Sequence, residues 1–294
     1  MMRFSDIGEQ LRSFRLESGL RAEEIAARLG VSRAALYRYE KGEVIKLDTV
    51  KRLAELLKIS PLTLLGVGVE HYSRAIGFFE RLRQLEEASE QVLQLDGALC
   101  YLTTSDAFDS AYADALAEAS EQAGAERAQW RAAVEQVLGV QAARKRSFQQ
   151  RRPSVICLLS ASRMTALLEG GVASGLAVSE RARRQCRQAA ATELTRLAEV
   201  MESEPIGLQF GLLAGHEPSA SFRLLRGRER ASVAISPFRP DATPFTTAGV
   251  ATITTAEEAV TIHQRVAEAL WREALKGPTA AARVRELVAA RGTA

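Results

Sequence analysis

The residues with the clearest capacity for chemistry lie close together near the N-terminus. Arg33, Ala34, Tyr37, Arg38 and Lys41 follow the i, i+1, i+4, i+5, i+8 spacing that puts side chains on one side of an α-helix. Two guanidinium groups, an aromatic hydroxyl and an ammonium on one outward stripe suit the DNA major groove. There a guanidinium forks onto guanine O6 and N7, worth about 1–3 kcal/mol of discrimination. Ser32 and Lys41 are placed to hold backbone phosphates and set the register. Any amphipathic helix has a solvated charged face, so the stripe acquires meaning only from the elements that position it.

Those elements can be read from apolar periodicity and turn residues. Phe4, Ile7, Leu11, Phe14 and Leu16 make a helical stripe that Gly19 closes. A second helix spans 22–29, with Ile25, Ala26 and Leu29 on one face, and Gly30 supplies the left-handed residue after it. Ser32 is the natural N-cap of a third helix over 33–41, which Gly42 stops. A fourth covers about 47–57, burying Val50, Leu53, Ala54 and Leu57, and Pro61 opens a short fifth to 65. Turns this short permit only a tight bundle. Residues 22–42 have the form of a helix-turn-helix unit, whose second helix enters the major groove. On that helix Leu36 and either Tyr39 or Glu40 are expected to be buried, with Val31 plugging the turn.

The stretch resembles the Cro/C1 (XRE) family of helix-turn-helix transcription regulators. The resemblance is carried by Ile7-Gly8-Glu9-Gln10-Leu11-Arg12, by Glu24-Ile25-Ala26-Ala27-Arg28-Leu29-Gly30-Val31-Ser32-Arg33, by Tyr39-Glu40-Lys41-Gly42, and by Thr49-Val50-Lys51-Arg52-Leu53-Ala54-Glu55-Leu56-Leu57. It implies an all-α, five-helix, lambda-repressor-like DNA-binding domain over residues 1–66, with a double-stranded DNA operator as partner. Two departures stand out. Members of that family usually open the second helix with Ser-Gln or Thr-Gln, the glutamine touching a phosphate, whereas Arg21 and Ala22 stand here. Arg21 is then the residue left to make that phosphate contact. The loop after Gly42 also lacks the usual proline and is one residue short. Residues 1–66 hold 12 Lys+Arg and 9 Asp+Glu, a balance of +3. Such a module binds non-specific DNA weakly at physiological salt, which favours a homodimer on half-sites roughly 34 Å apart.

Residues 67–96 read as a hinge, Gly66-Val67-Gly68, and a joining helix over about 70–95. Its apolar positions are Tyr72, Ile76, Phe79, Leu82, Leu85, Val92 and Leu95, near a heptad repeat that sags at Ala88-Ser89. The helix packs on its own sensor domain, forms a dimer seam, or does both.

Over residues 97–294 short apolar runs alternate with helical ones, the pattern of an α/β (or α+β) sensor domain. Strands are expected at 98–102, 155–159, 206–213, 221–225, 231–235 and 250–254. Helices are expected at 106–121, 123–149, 162–169, 180–201, 256–275 and 280–290. Hydroxyl residues join strand to helix at Thr103-Thr104-Ser105, Ser160-Ala161-Ser162 and Thr254-Thr255. Carboxyl ends of parallel strands bind ligands, and helix N-termini favour anions. Thr104, Ser105, Ser160 and Ser162, with Arg163 and Arg223 as counter-charges, are therefore the candidate effector site. Plain N-capping is the competing use of the same hydroxyls. From residue 154 the chain is similar to non-catalytic phospholipase-D-like sensor domains of bacterial regulators. The likeness rests on Met164-Thr165-Ala166-Leu167-Leu168-Glu169-Gly170-Gly171-Val172, on Gly249-Val250-Ala251-Thr252 and on Ala269-Leu270-Trp271. Enzymes of that fold use His-x-Lys, and none of His71, His216 and His263 has a lysine two residues on.

No GxSxG, P-loop, HExxH or GxGxxG motif occurs. His216 with Glu217, or His263 with Glu257 and Glu258, can be drawn as acid–base pairs, although isolated surface or capping residues are the simpler reading. Cys100, Cys157 and Cys186 lie far apart and read as buried thiols. A 294-residue chain with 47% hydrophobic and 26% charged residues is an ordinary globular mixture, with enough apolar material for a core in each part. No run approaches the roughly 20 apolar residues of a membrane span, and residues 1–10 carry no secretory pattern. The sequence thus predicts a cytoplasmic DNA-binding regulator under a small-molecule effector, an anion being the favoured class, with no cofactor, metal or enzymatic activity. The alternative is an antitoxin- or phage-type repressor whose large domain grips a partner protein.

Overall fold

The computed structural model describes residues 4–95, 97–172, 174–215, 221–238 and 248–292. The chain opens with α1 (Phe4–Ser18), α2 (Ala22–Leu29), α3 (Arg33–Glu40), α4 (Leu47–Leu57) and α5 (Pro61–Leu64). The expected punctuation is in place. Gly30 takes φ 71° after α2, Ser32 Oγ accepts from the Ala35 amide at 3.1 Å, and Pro61 stands in the first turn of α5. With no hydroxyl at its N-cap, α2 is capped in reverse: the Glu24 carboxylate accepts from the Arg21 amide at 2.9 Å. Leu11, Ile25, Leu36, Leu53 and Leu64 are fully buried at the bundle centre. Such side chains each contribute roughly 1.5–3 kcal/mol by leaving water.

The single helix expected over 70–95 is not formed. Strand β1 (Val69–Tyr72), helix α6 (Ala75–Ala88) and strand β2 (Ser89–Leu95) replace it. The sag in the heptad at Ala88-Ser89 is the end of α6, where Ser89 turns extended and its hydroxyl closes on the Leu85 carbonyl at 2.6 Å. Beyond it Val92 and Gln94 are buried on one side of a strand, a period of two that a helical reading of seven residues conceals. The strand expected at 98–102 is likewise absent. That segment is irregular and ends in a 3₁₀ turn at Tyr101–Thr103, because β2 already fills the place in the sheet.

The remaining elements fall close to their expected positions: α7 (Asp106–Glu121), α8 (Arg127–Arg151), β3 (Ser154–Ser160), α9 (Ala161–Gly170), α10 (Glu180–Ser203), β4 (Leu208–Leu213), β5 (Phe222–Gly227), β6 (Ala231–Ile235), β7 (Ala251–Thr254), α11 (Glu257–Glu273) and α12 (Gly277–Gly292). The sheet is mixed and seven-stranded, in the order β1-β7-β6-β5-β2-β3-β4. β2, β3 and β4 run parallel, and every other neighbouring pair is antiparallel. The helical N-terminal region is thus followed by a mixed α/β region.

Register places Gln94, Cys157, Phe210, Arg223 and Ala234 in one row on one face of the sheet. α11 covers the other face, over Leu95, Leu158, Phe222, Leu224 and Val233. The first face belongs to a core that continues without a break into the five-helix bundle. Phe14 of α1 stacks on Tyr72 of β1 at 5.3 Å and 8°, and Phe78 of α6 meets Tyr72 edge-on at 6.5 Å. α6 is buried between α1 and α8, so it packs within its own chain. Cys100, Cys157 and Cys186 are buried thiols, as expected. Among the described residues no helix is long and apolar enough to cross a membrane.

The α1–α6 contact is polar at its centre. Glu70 is locked by Arg81, whose Nε and Nη2 both lie 2.9 Å from its carboxylate oxygens, and both side chains are about nine-tenths buried. Removing one partner of a buried pair strands the other charge, at about 3–5 kcal/mol. Arg81→Ala is therefore expected to lower the denaturant-unfolding free energy by that amount. A loss below about 1 kcal/mol, the value of a surface pair, would contradict this account.

Candidate nucleic-acid interface

α3 is held from beneath and open above. Leu36 and Glu40 are buried, and Val31 and Tyr39 half-buried. The buried Glu40 carboxylate accepts from Arg15 of α1 at 2.5 and 3.0 Å. Burial alone would lower the Arg15 pKa, but the Glu40 hydrogen bonds more than offset it and the guanidinium is held firmly charged. The approach of α1 to α3 is closer still at Gly8. A Cβ there would fall 2.5 Å from the Tyr39 carbonyl oxygen and 2.8 Å from that of Glu40.

On the outer side Ser32, Arg33, Ala34, Arg38 and Lys41 are all exposed, and Arg21 is exposed at the start of α2. Arg33 pairs with Glu23 at 2.7 Å, which sets the first turn of α2 beside the first turn of α3. Tyr37 is half-buried and differs from the expected free reader. Its hydroxyl accepts from Arg33 Nε and Nη2 at 3.3 and 3.1 Å, with the Arg33 guanidinium 5.3 Å from its ring centre. The hydrogen bond to Tyr37 and the nearby Glu23 raise the Arg33 pKa. Tyr37 thus orients an arginine. Arg38 is held by Glu43 at 2.9 Å. Both arginine pairs are more than half exposed. Such pairs contribute about 0–1 kcal/mol, so a guanine edge or a phosphate can displace the acid. The Ala34 methyl suits contact with a thymine methyl.

Sequence reasoning did not find the Arg15–Glu40 brace, because its members stand 25 residues apart and nothing local marks them. It also passed over Val44 and Leu47, which are 67% and 76% exposed in and after the loop behind α3.

Most of the hydroxyls in the candidate effector set are engaged by neighbouring groups of the chain. Thr104 Oγ1 donates to the Tyr101 carbonyl at 2.9 Å, and the Thr104 carbonyl accepts from Lys145 at 3.0 Å. Burial pushes Lys145 down, although Asp109 at 2.5 Å favours its charged form. Ser105 caps α7 and donates to Glu193 at 2.6 Å. Ser160 caps α9, with its Oγ 2.8 Å from that of Ser162, while Arg163 is exposed. Arg223 is buried within β5, opposite Gln94. The Thr254-Thr255 junction ends the antiparallel β7, where Thr254 Oγ1 accepts from the Ala256 amide at 3.2 Å. His263 Nδ1 lies 2.8 Å from the Ala259 carbonyl, and its ring packs edge-on against Phe222. His216 and Glu217 lie outside the described residues. Trp271 is half-buried against the α11 core. Among the described residues no cluster suits a metal ion.

Residues 6–65 match the family model of a helix-turn-helix domain. No curated protein matches the chain. The solved structure of TrmBL2, an archaeal chromatin protein described as showing a novel mode of DNA binding, is similar at 10% identity and a TM-score of 0.34. That likeness covers 78% of this chain and 61% of TrmBL2, so the chain spans about three fifths of that protein's length. The N-terminal region is a helix-turn-helix domain of the DNA-binding class, and α3 is its second helix.

Gly8→Ala is expected to force α1 and α3 apart. It should cost about 1–3 kcal/mol of stability, the usual range for overpacking. Affinity for DNA should fall as well, although Gly8 is buried. Unfolding and DNA titration of the same preparation check this; unchanged values for both would refute the close approach.

Proposed function

We propose that the protein is a sequence-specific transcription regulator of the Cro/C1 (XRE) type. It acts as a homodimer in the cytoplasm and responds to a small metabolite held by its C-terminal region. Residues 1–66 bind the operator, 67–96 join, and 97–294 form a sensor that is phospholipase-D-like and carries no catalysis. The observation that supports this most directly is the exposed stripe Arg33, Ala34, Arg38 and Lys41 on a helix braced from behind by Arg15–Glu40. A rigid helix with two exchangeable arginines is what base reading needs, because each hydrogen bond must find its acceptor without first ordering the reader. Ser32, Arg21 and Lys41 serve phosphates. One copy reads few base pairs, so two copies on half-sites supply the affinity. Control by a metabolite follows population-shift rules: switching occupancy from 1:99 to 99:1 takes about 5.5 kcal/mol of differential binding.

Sequencing of genomic fragments captured by the full chain at physiological salt is expected to yield a few sites sharing a two-fold-related motif. Arg33→Ala or Arg38→Ala should then weaken operator binding by about 1–3 kcal/mol and relax the preference at one position. Lys41→Ala should weaken all sequences alike and reduce the salt slope by about one. Arginine variants that bind like the wild type would overturn the assignment of α3 as the reading helix.

A further inference from the structure

A cavity of about 900 Å³ separates the helix-turn-helix domain from the sheet. This is the size range of small-molecule sites. One wall is α1 with the Gly66–Gly68 turn, and the facing wall is the end of α8 with the β5–β6 turn. The inner wall contains an acceptor with nothing to accept. Gln10 is 3% exposed; its Nε2 donates to Glu70 at 3.1 Å, while its buried Oε1 has no hydrogen-bond partner. Glu70 is already satisfied by Arg81, Tyr72 and Gln10. Beside Gln10 the exposed Glu9 carboxylate also lines the cavity. A donor arriving there meets Gln10 Oε1, since a buried acceptor left unmet forfeits its hydration.

The facing wall is rich in guanidinium groups: Arg151, Arg152, Arg228 and Arg230 line it, together with Glu90 and Glu229. Arg228 is engaged by Glu90 at 2.7 Å and Arg151 bonds the Glu87 carbonyl, whereas Arg152 and Arg230 stand exposed at the mouth. Acceptors within and guanidinium groups at the mouth select a molecule with hydroxyl donors at one end and an anion at the other. Gly66 and Gly68, at φ 74° and 105°, border the same cavity and are the turn by which the chain leaves the bundle. A ligand there touches α1 and the sheet region together.

We propose that this cavity is the effector site, that its ligand is a small anionic polyol, phosphorylated or carboxylated, and that occupancy sets the position of the helix-turn-helix domain against the sheet. The inference rests on the reading of the chain as a ligand-responsive regulator and replaces the strand-end hydroxyls as the place of binding.

The test uses the full chain with ribose 5-phosphate and gluconate as probes, and ribose and inorganic phosphate as controls. Thermal unfolding and operator titration are both recorded. A rise in Tm and a changed operator affinity with either probe, and with neither control at equal concentration, is the expected result; the responding probe identifies the anionic head. Arg152→Ala with Arg230→Ala, both at exposed positions, should weaken that response about tenfold or more, the value of a lost charge-assisted contact. No response to either probe overturns the proposal. So does a response that survives in the arginine variant but is lost in Ser160→Ala with Ser162→Ala, which would return the effector to the strand ends and leave a ligand-responsive regulator standing. Wild type that fails to bind any operator counts against the proposed function alone, because the thermal shift reads the cavity without DNA.

Discussion

The carboxylate of Glu70 is the constraint on which the arrangement of the two regions depends. It is buried where β1, α1 and α6 meet, and each supplies a donor: Tyr72 Oη at 2.7 Å, Gln10 Nε2 at 3.1 Å and the Arg81 fork. A buried carboxylate is tolerated only when its lone pairs are met and its charge is paired. The three elements therefore share one geometry in which it is satisfied. Tyr72 is held well above the ordinary phenol range by burial and by the neighbouring Glu70 charge, so its hydroxyl remains a donor. Further along α1, Ser13 donates to Gln84 and Glu17 accepts from the amide of Arg74 at the start of α6. An anion suits that end of a helix.

Because α1 is fixed to α6, so is everything that α1 carries. Arg15 and Gly8 transmit its position to α3, and with it the direction of the exposed arginines. On its other sides α6 continues the pattern of buried charge. Glu80 receives Arg12 and Arg83, each at 2.8 Å, and Glu86 receives Arg144 of α8 at 2.6 and 2.8 Å. Arg144 lies over the rings of Phe79 and Tyr101, and its neighbour Lys145 reaches Asp109 of α7. Buried charge pairs of this kind exchange as sets, since a half-broken pair leaves a charge in a poor solvent. The contact between the two regions is thus made of sets of paired charges rather than of single replaceable contacts.

The sheet divides the labour of the C-terminal region. Its α11 face is a compact apolar layer, whereas the opposite face admits Gln94 and Arg223 among aliphatic side chains and merges with the bundle core. Hydroxyl residues at the helix starts cap them: Ser105, Ser160 and Ser179 each accept from an amide three residues on. Ser105 also ties α7 to Glu193 of α10. Local capping and long-range bracing are thus done by the same side chains.

By itself the sequence determined the five-helix bundle, down to the cap at Ser32, the proline at 61 and the glycine at 30, because apolar period and turn chemistry act within a few residues. It also determined the exposed stripe on α3, since Leu36 and the helix period decide which way Arg33, Ala34, Arg38 and Lys41 point. Most helices and strands after residue 105 were legible for the same reason. Only the tertiary structure decided that residues 70–95 form strand, helix and strand, because seven residues of β2 gain their hydrogen bonds from β3 and β5, more than 60 residues away. The Glu70–Arg81–Gln10 junction, the Arg15–Glu40 brace and the cavity beside Gln10 belong to the same class. Each exists through partners remote in the chain, and burial, which gives such polar contacts their strength, is a property of the packed molecule.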